Sequence, residues 1–348
     1  MEHKSEQHEI SYYQKLAQHN AKPCTCFFCG KAKEIINSHS VPRAVLKRIA
    51  EEGWILKHEA LMNPTVRAER GDGINKAGSF WMLCEECDTK YFKHYENCEF
   101  GIEMPSQQIL SEIALKNYLY QLSESRIEKE TFRLLYEKYS GEEFFKNRMN
   151  VVDADIRHFS KKTEHYRKLV QKGVQNIEFE IMFYSLLPYR TQIAVQGQIP
   201  LAYDMTGQII NDNFDYFTQT HSMHVAVFPQ MKNTAVIVFC EKGDNKYRRL
   251  CHQMKTSSHE NNLIYINYII FEYTDNVYIS KTETETIRKN PFLSQIASEN
   301  NGLPNLGGGV TTWEELETVK IVYQGPKPED IPNFLSKNIS KENIQAGN

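Results

Sequence analysis

Two cysteine pairs constrain this chain more than any other feature. Cys26-Phe27-Phe28-Cys29 is followed, after 54 intervening residues, by Cys84-Glu85-Glu86-Cys87. A CxxC pair makes a turn whose two thiolates point at one ion, and two such turns complete the tetrahedron that zinc prefers. Everything between them is thereby closed into a metal-organised loop. Cys24 competes with Cys26, because the segment reads CTCFFC, but the two-residue gap from Cys26 to Cys29 gives the better turn. Cys98, Cys240 and Cys251 stand alone in sequence and are expected to pack as small apolar residues.

A metal rather than disulfides is the expected fate of the clustered thiols if they stay reduced. The N-terminal segment MEHKSEQHEISYYQ has no apolar core of a signal peptide, so a cytoplasmic, reducing location is expected. The longest apolar runs, such as Ile181 to Leu187 and Ala235 to Cys240, fall far short of the roughly 18 to 20 residues that span a bilayer. With 41% hydrophobic and 24% charged residues, collagen-like and disordered classes are excluded. Net charge is −3, which carries no general signature of a nucleic-acid partner, so such a partner has to be argued locally.

The 348 residues suggest two domains, and the pattern predicts an α+β protein. Residues 1–20 read as a polar lead-in, and 21–104 as the small zinc-stapled module. A helical connector follows over 105–174, with two helices separated near Ser123 to Ser125 and a third over Ala154 to Lys172. Residues 175–325 read as a larger domain with an antiparallel sheet, its strands at Ile177 to Leu187, Gln192 to Val195, His224 to Phe228, Ala235 to Phe239 and Leu263 to Tyr273. Residues 326–348 read as an arm and tail.

Inside the module, Glu34-Ile35-Ile36 and Ser79 to Leu83 read as strands, and Asp88 to Phe100 as a helix. Strand, strand and helix around one zinc make a ββα-metal arrangement, and the zinc brings His39, near one cysteine pair, close to Asp88, directly after the other. The motifs Cys26-x-x-Cys29, Ser38-His39-Ser40-Val41-Pro42 and Leu83-Cys84-x-x-Cys87-Asp88 resemble a poorly characterised bacterial branch of the HNH-type endonucleases, over residues 23 to 101. The resemblance implies that His39 is the general base that activates water. It implies also that Asp88 holds a catalytic divalent ion, Mg²⁺ or Mn²⁺, beside the structural Zn²⁺ on Cys26, Cys29, Cys84 and Cys87. The implied reaction is hydrolysis of a nucleic-acid phosphodiester, DNA being expected, in a setting such as bacterial defence or a mobile element, where a protein partner is conceivable.

Ser38 stands where that family commonly has Asp or His, and the asparagine frequent before its second cysteine pair is missing, so another oxygen donor is needed, Glu96 or Asn37 by spacing. On a straight helix Asp88 and Glu96 would lie two turns, roughly 12 Å, apart. A catalytically inactive zinc-binding module that docks nucleic acid or a partner protein is therefore the alternative. For docking, Arg157 to Lys172 carries six basic residues against the single acid Glu164. At helical spacing Arg157, Lys161, Lys168 and Lys172 share one face, and Ile156, Phe159, Tyr166 and Val170 another.

Overall fold

The computed structural model describes residues 2–62, 71–96, 99–211, 220–299 and 327–337. Cys98 and most of the expected C-terminal arm lie outside them. The described part is a mixed α/β structure organised on an antiparallel sheet, and no helix in it is long and apolar enough to cross a membrane.

Helix α1 (Glu2–Ala21) leads into the cysteine-rich segment, where β1 (Ser38–His39), α2 (Arg43–Ile49), β2 (Trp54–Lys57), α3 (His58–Met62), β3 (Asp72–Gly73), β4 (Ser79–Phe80), α4 (Glu85–Tyr91) and α5 (Lys93–Glu96) follow. Two long helices come next, α6 (Gln107–Lys138) and α7 (Glu143–Lys172), and then β5 (Phe179–Leu187), β6 (Ile193–Ile199), β7 (Met223–Pro229) and β8 (Thr234–Glu241). After α8 (Arg248–Thr256) and α9 (His259–Tyr273) the chain forms β9 (Val277–Ile279), α10 (Thr284–Lys289) and α11 (Pro291–Glu299).

Seven strands form one sheet in the order β3-β2-β9-β6-β7-β8-β5. Strands β6 and β7 are buried along their whole length; β7 accordingly reads as a nearly continuous apolar run broken only by His224, whereas β6 carries Gln196 and Gln198 inside, Gln196 donating to Asn117 Oδ1 at 3.0 Å. Alternate residues still go to opposite faces. Val225, Val227, Val236 and Val238 join the core formed with α8, α9 and α11. Ala226, Phe228, Ile237 and Phe239 join the core formed with α6, α7 and the cysteine-rich segment. The sheet is thus the middle of three layers, with Val225 opposite Val238 and Val227 opposite Val236 fixing the register.

The segment 21–104 does not keep to itself. Strand β2 pairs with β9, Leu56 opposite Ile279, so this segment contributes two strands to the sheet of 175–325. The junction is tightened at Gly78, whose φ is +59° and where a Cβ would lie 2.2 Å from the Tyr278 hydroxyl and 2.4 Å from Ser40 Oγ. Ser40 Oγ and the Tyr278 hydroxyl both donate to Asn276 Oδ1, at 2.8 and 2.6 Å.

Several elements differ from the sequence expectation. Leu263 to Tyr273 is not a strand but most of α9, which begins at Ser258, whose side chain accepts a bond from the Asn261 amide. Ten of its residues are buried, from Asn262 to Tyr273, and a helix apolar on nearly every side loses the periodicity that separates helix from strand. The two helices expected over 106–139 are one helix, running through Ser123 to Ser125, both of these serines being buried against the layer below. Helix α7 starts at Glu143, well before Ala154. No strand forms at Glu34 to Ile36; the strand is the adjacent Ser38–His39. The helix expected from Asp88 to Phe100 is two short ones, because Phe92 leaves the helical region (φ −120°, ψ 6°).

Candidate metal centre and the polar cluster beside it

The four cysteines come together as their spacing predicts. One sulfur from each of Cys26, Cys29, Cys84 and Cys87 lies within 4.8 Å of all the others, and Cys29 and Cys84 are 4.0 Å apart. Four sulfurs at about 2.3 Å from a central zinc are separated by roughly 3.8 Å, so the cluster could hold a metal such as zinc with little adjustment. The local backbone is shaped for it. The Gly30 amide turns back to the Cys26 carbonyl at 2.8 Å, the Phe27 amide bonds the Met82 carbonyl at 2.9 Å, and the Asp88 amide bonds the Cys84 carbonyl at 3.0 Å as α4 starts. The Cys84 amide donates to Cys26 Sγ at 3.3 Å. Burial raises the Cys26 thiol, but amides of Cys29, Cys84 and Phe28 outweigh it and bring its pKa down to about 7. Burial pushes Cys84 and Cys87 up, as expected of thiols whose ionisation waits for a cation. Cys24 is exposed and outside the cluster, while Cys240 and Cys251 are buried.

Strands β1 and β4 pair antiparallel, with His39 opposite Ser79 and Ser38 opposite Phe80, and α4 follows β4 across Cys84. Strand, strand and helix therefore stand around the cysteine cluster. His39 donates from Nε2 to the Ile74 carbonyl at 3.0 Å, which in the neutral ring leaves Nδ1 as the acceptor. Burial lowers its pKa, and Lys116 and Arg43 lower it further, while the bond to the Ile74 carbonyl and, less strongly, Asp88 work the other way. The bond that orients the ring comes from a backbone carbonyl, not from a carboxylate.

Asp88 faces an internal cation. Its Oδ1 is 2.6 Å from Lys116 Nζ, and Glu96 Oε1 is 3.0 Å from the same nitrogen. The expected two-turn separation of Asp88 and Glu96 does not hold, because the break at Phe92 swings α5 round so that both carboxylates reach one ammonium. The Lys116 side chain has no solvent exposure, and its nitrogen sits 4.0 Å from the centre of the Phe92 ring. Burial alone would lower the lysine pKa, but the two carboxylates more than reverse it and the net shift is upward. Glu96 is shifted upward, chiefly by burial. Asn37, the other expected donor, gives its side-chain amide to the Asn75 carbonyl at 2.9 Å, and the Ser38 hydroxyl is buried without a hydrogen-bond partner among the described residues.

Glu112, one turn before Lys116 on α6, is also buried. It accepts from the backbone amides of His94 and Tyr95 at 3.2 and 3.3 Å and pairs with the His94 ring. His94 is exposed, yet its ring and amide tie it to α6. Lys116 and Glu112 escaped the sequence reading, yet a signal was present: two charged residues four apart inside the apolar stripe of Ile109, Ile113, Leu115, Tyr118 and Leu119.

The basic residues of α7 emerge as expected from their spacing. Arg157, Lys161, Lys168 and Lys172 are all exposed, while Tyr166 and Val170 are buried. Glu164 binds Arg167 at 2.7 Å and Lys168 at 3.4 Å, and Lys162 is paired with Glu241.

Compared with known proteins, the chain matches no family model, and comparison with curated proteins and with solved structures returns no match.

Proposed function

We propose that this chain is a nucleic-acid-binding protein built on a zinc-stapled, HNH-like ββα module that has given up its divalent catalytic ion. Zinc on Cys26, Cys29, Cys84 and Cys87 staples the module, in a cytoplasmic setting that keeps the thiols reduced. The exposed cations of α7 meet phosphates, DNA being the expected partner. One observation carries the non-catalytic part: the buried ammonium of Lys116, 2.6 Å from Asp88 and 3.0 Å from Glu96, fills the position where Mg²⁺ or Mn²⁺ would neutralise the same carboxylates. A divalent ion has to displace a fully buried, doubly paired lysine before Asp88 can ligate it.

A second reading, an HNH-like endonuclease, is favoured by His39. A neutral imidazole with Nδ1 able to accept a proton and a pKa lowered by burial is the form a general base takes near neutral pH. Plasmid incubated with the protein and Mg²⁺ or Mn²⁺, beside His39→Ala, separates the two. The binding reading expects no nicking by wild type under either ion. Nicking that falls by roughly 10² to 10⁴ in His39→Ala, with zinc content and fold retained, would establish the nuclease instead.

A further inference from the structure

Beside the zinc module, a cavity of about 320 Å³ opens between the end of α1 and the residues just after it (Ala21, Pro23), α6 (Arg126, Lys129, Glu130, Arg133) and Ile156 of α7. Arg126, Lys129 and Arg133 are three, then four, residues apart and share one face of α6. Two of these cations are neutralised within the protein. Lys129 pairs with Asp153 at 2.6 Å. Arg133 takes both oxygens of Glu130 at 2.7 Å and pairs also with Glu137; Glu130 Oε1 additionally accepts from Asn20 at 2.8 Å. Arg126 is different. It is half-buried, and among the described residues its one hydrogen bond is to the sulfur of Met82 at 3.4 Å, a weak acceptor. Burial holds its pKa below the ordinary arginine range, with no carboxylate acting against that. A guanidinium taken out of water without an anion is costly, and a planar fork facing a cavity is suited to an oxyanion that can take two parallel N–H bonds.

We propose that this cavity is a phosphate-binding site in which Arg126 holds the phosphate oxygens. Lys129, Arg133 and Glu130 line the same cavity with their charges already paired inside the protein, so Arg126 is the cation left for the phosphate, while Ala21, Pro23 and Ile156 give apolar surface against which a sugar or base can lie. The cavity is large enough for a nucleotide-sized group, as ligand sites start at roughly 300 Å³. Ile156, on the apolar face of α7, lies on its wall, so the cavity and the exposed basic face of α7 are separate surfaces of the same helix. Where the phosphate belongs to a strand, the site rests on the nucleic-acid reading; where it belongs to a free nucleotide, it does not.

The test uses the full chain and three probes: inorganic phosphate, dAMP, and an oligonucleotide with either a phosphorylated or a hydroxyl end, against chloride at equal ionic strength. Thermal protection by phosphate or dAMP that is lost in Arg126→Gln supports the site with a small phosphate as its source. Tighter binding of the phosphorylated strand over the hydroxyl-ended one, falling by about tenfold in Arg126→Gln, the size of one charge-assisted contact, supports it with a strand as its source. Ile156→Phe fills the cavity without touching Arg126 and should remove the same response, which keeps the test open should Arg126→Gln fold poorly; Arg126→Lys should restore only part of it. Protection by dAMP with no oligonucleotide binding would sink the nucleic-acid reading and leave the site standing. Wild type and Arg126→Gln responding alike to every phosphorylated probe, or the hydroxyl-ended strand binding as well as the phosphorylated one with no effect of phosphate or dAMP, overturns the site.

Discussion

The ammonium of Lys116 and the carboxylate of Asp88 meet at 2.6 Å, with the lysine side chain wholly shut off from solvent. This pair joins the residue directly after the second cysteine pair to the first third of α6, so the cysteine-rich segment and the α6–α7 hairpin are held by charge as well as by apolar packing. Glu96 completes a triad around the buried ammonium, and the short helix α5 is oriented by Glu112, which accepts the amides of His94 and Tyr95. The region that would have to open for a metal ion is therefore also what fixes the module on its support.

Lys116→Met should strand two acids beside an apolar wall. A loss of about 3–5 kcal/mol is expected, the range for breaking a buried ion pair from one side. Replacing all three, as Lys116→Met with Asp88→Asn and Glu96→Gln, should recover most of it. Urea unfolding of the three proteins checks this. Added Mn²⁺ should raise the melting temperature of Lys116→Met and leave wild type unmoved, because only the variant offers two unneutralised carboxylates; a wild type protected equally by Mn²⁺ would show that the lysine yields to the ion.

Purified protein should carry one zinc per chain, and Cys84→Ser with Cys87→Ser should lose both the metal and the fold of the N-terminal segment, because the free energy of binding at such a site is free energy of folding. Elemental analysis and near-UV circular dichroism are the measurements. Cys24→Ser, at an exposed thiol outside the cluster, should change neither.

The clustering of the four cysteines was legible in the sequence because ligand spacing is a local constraint: Cys26-x-x-Cys29 and Cys84-x-x-Cys87 each define a turn, whatever the rest of the chain does. The strand β7 was legible too, its burial on both faces being written as MHVAVFP. Helix α9 was not, since LIYINYII fits a buried strand as well as a buried helix, and only its cap at Ser258 and the layer it packs in decide. The pairing of Lys116 with Asp88 and Glu96 was out of reach for a different reason. It depends on the bend at Phe92 and on how α6 crosses the module, neither of which has a local signature.

Reversing Arg157, Lys161, Lys168 and Lys172 to Glu should weaken binding to DNA at low salt and flatten the dependence of affinity on salt, since each lost phosphate contact removes close to one released counterion from the slope. All four are exposed, so the melting temperature should move little. A titration by fluorescence anisotropy at several salt concentrations reads both effects, and an unchanged slope would return this face of α7 to ordinary solvation.

His224 is the group through which acid should act on the core. It is fully buried, stacked at 4.8 Å on Phe239 with the edge of Tyr118 at 5.4 Å. Nδ1 accepts from Asn117 Nδ2 at 3.1 Å, while Nε2 has no hydrogen-bond partner among the described residues. Burial lowers its pKa from 6.5 to about 3; Lys162 acts in the same direction and Glu241 against it. Above pH 6.5 the ring is neutral in both the folded and unfolded chain and pH has no hold on stability through it. Below that, the unfolded chain takes up a proton that the folded one refuses, so stability is lost as pH falls from 6.5 towards 3, by up to about 1.4 kcal/mol per pH unit. His39 and His158, also lowered by burial, add to the same limb. His224→Phe keeps a ring among rings and removes the titration, at a cost of about 1–3 kcal/mol for leaving the Asn117 amide without its acceptor. Urea midpoints measured between pH 7 and pH 4 should therefore fall less steeply for the variant than for wild type, although the variant starts lower. Parallel curves would take His224 out of the acid limb and leave its place to the other two histidines.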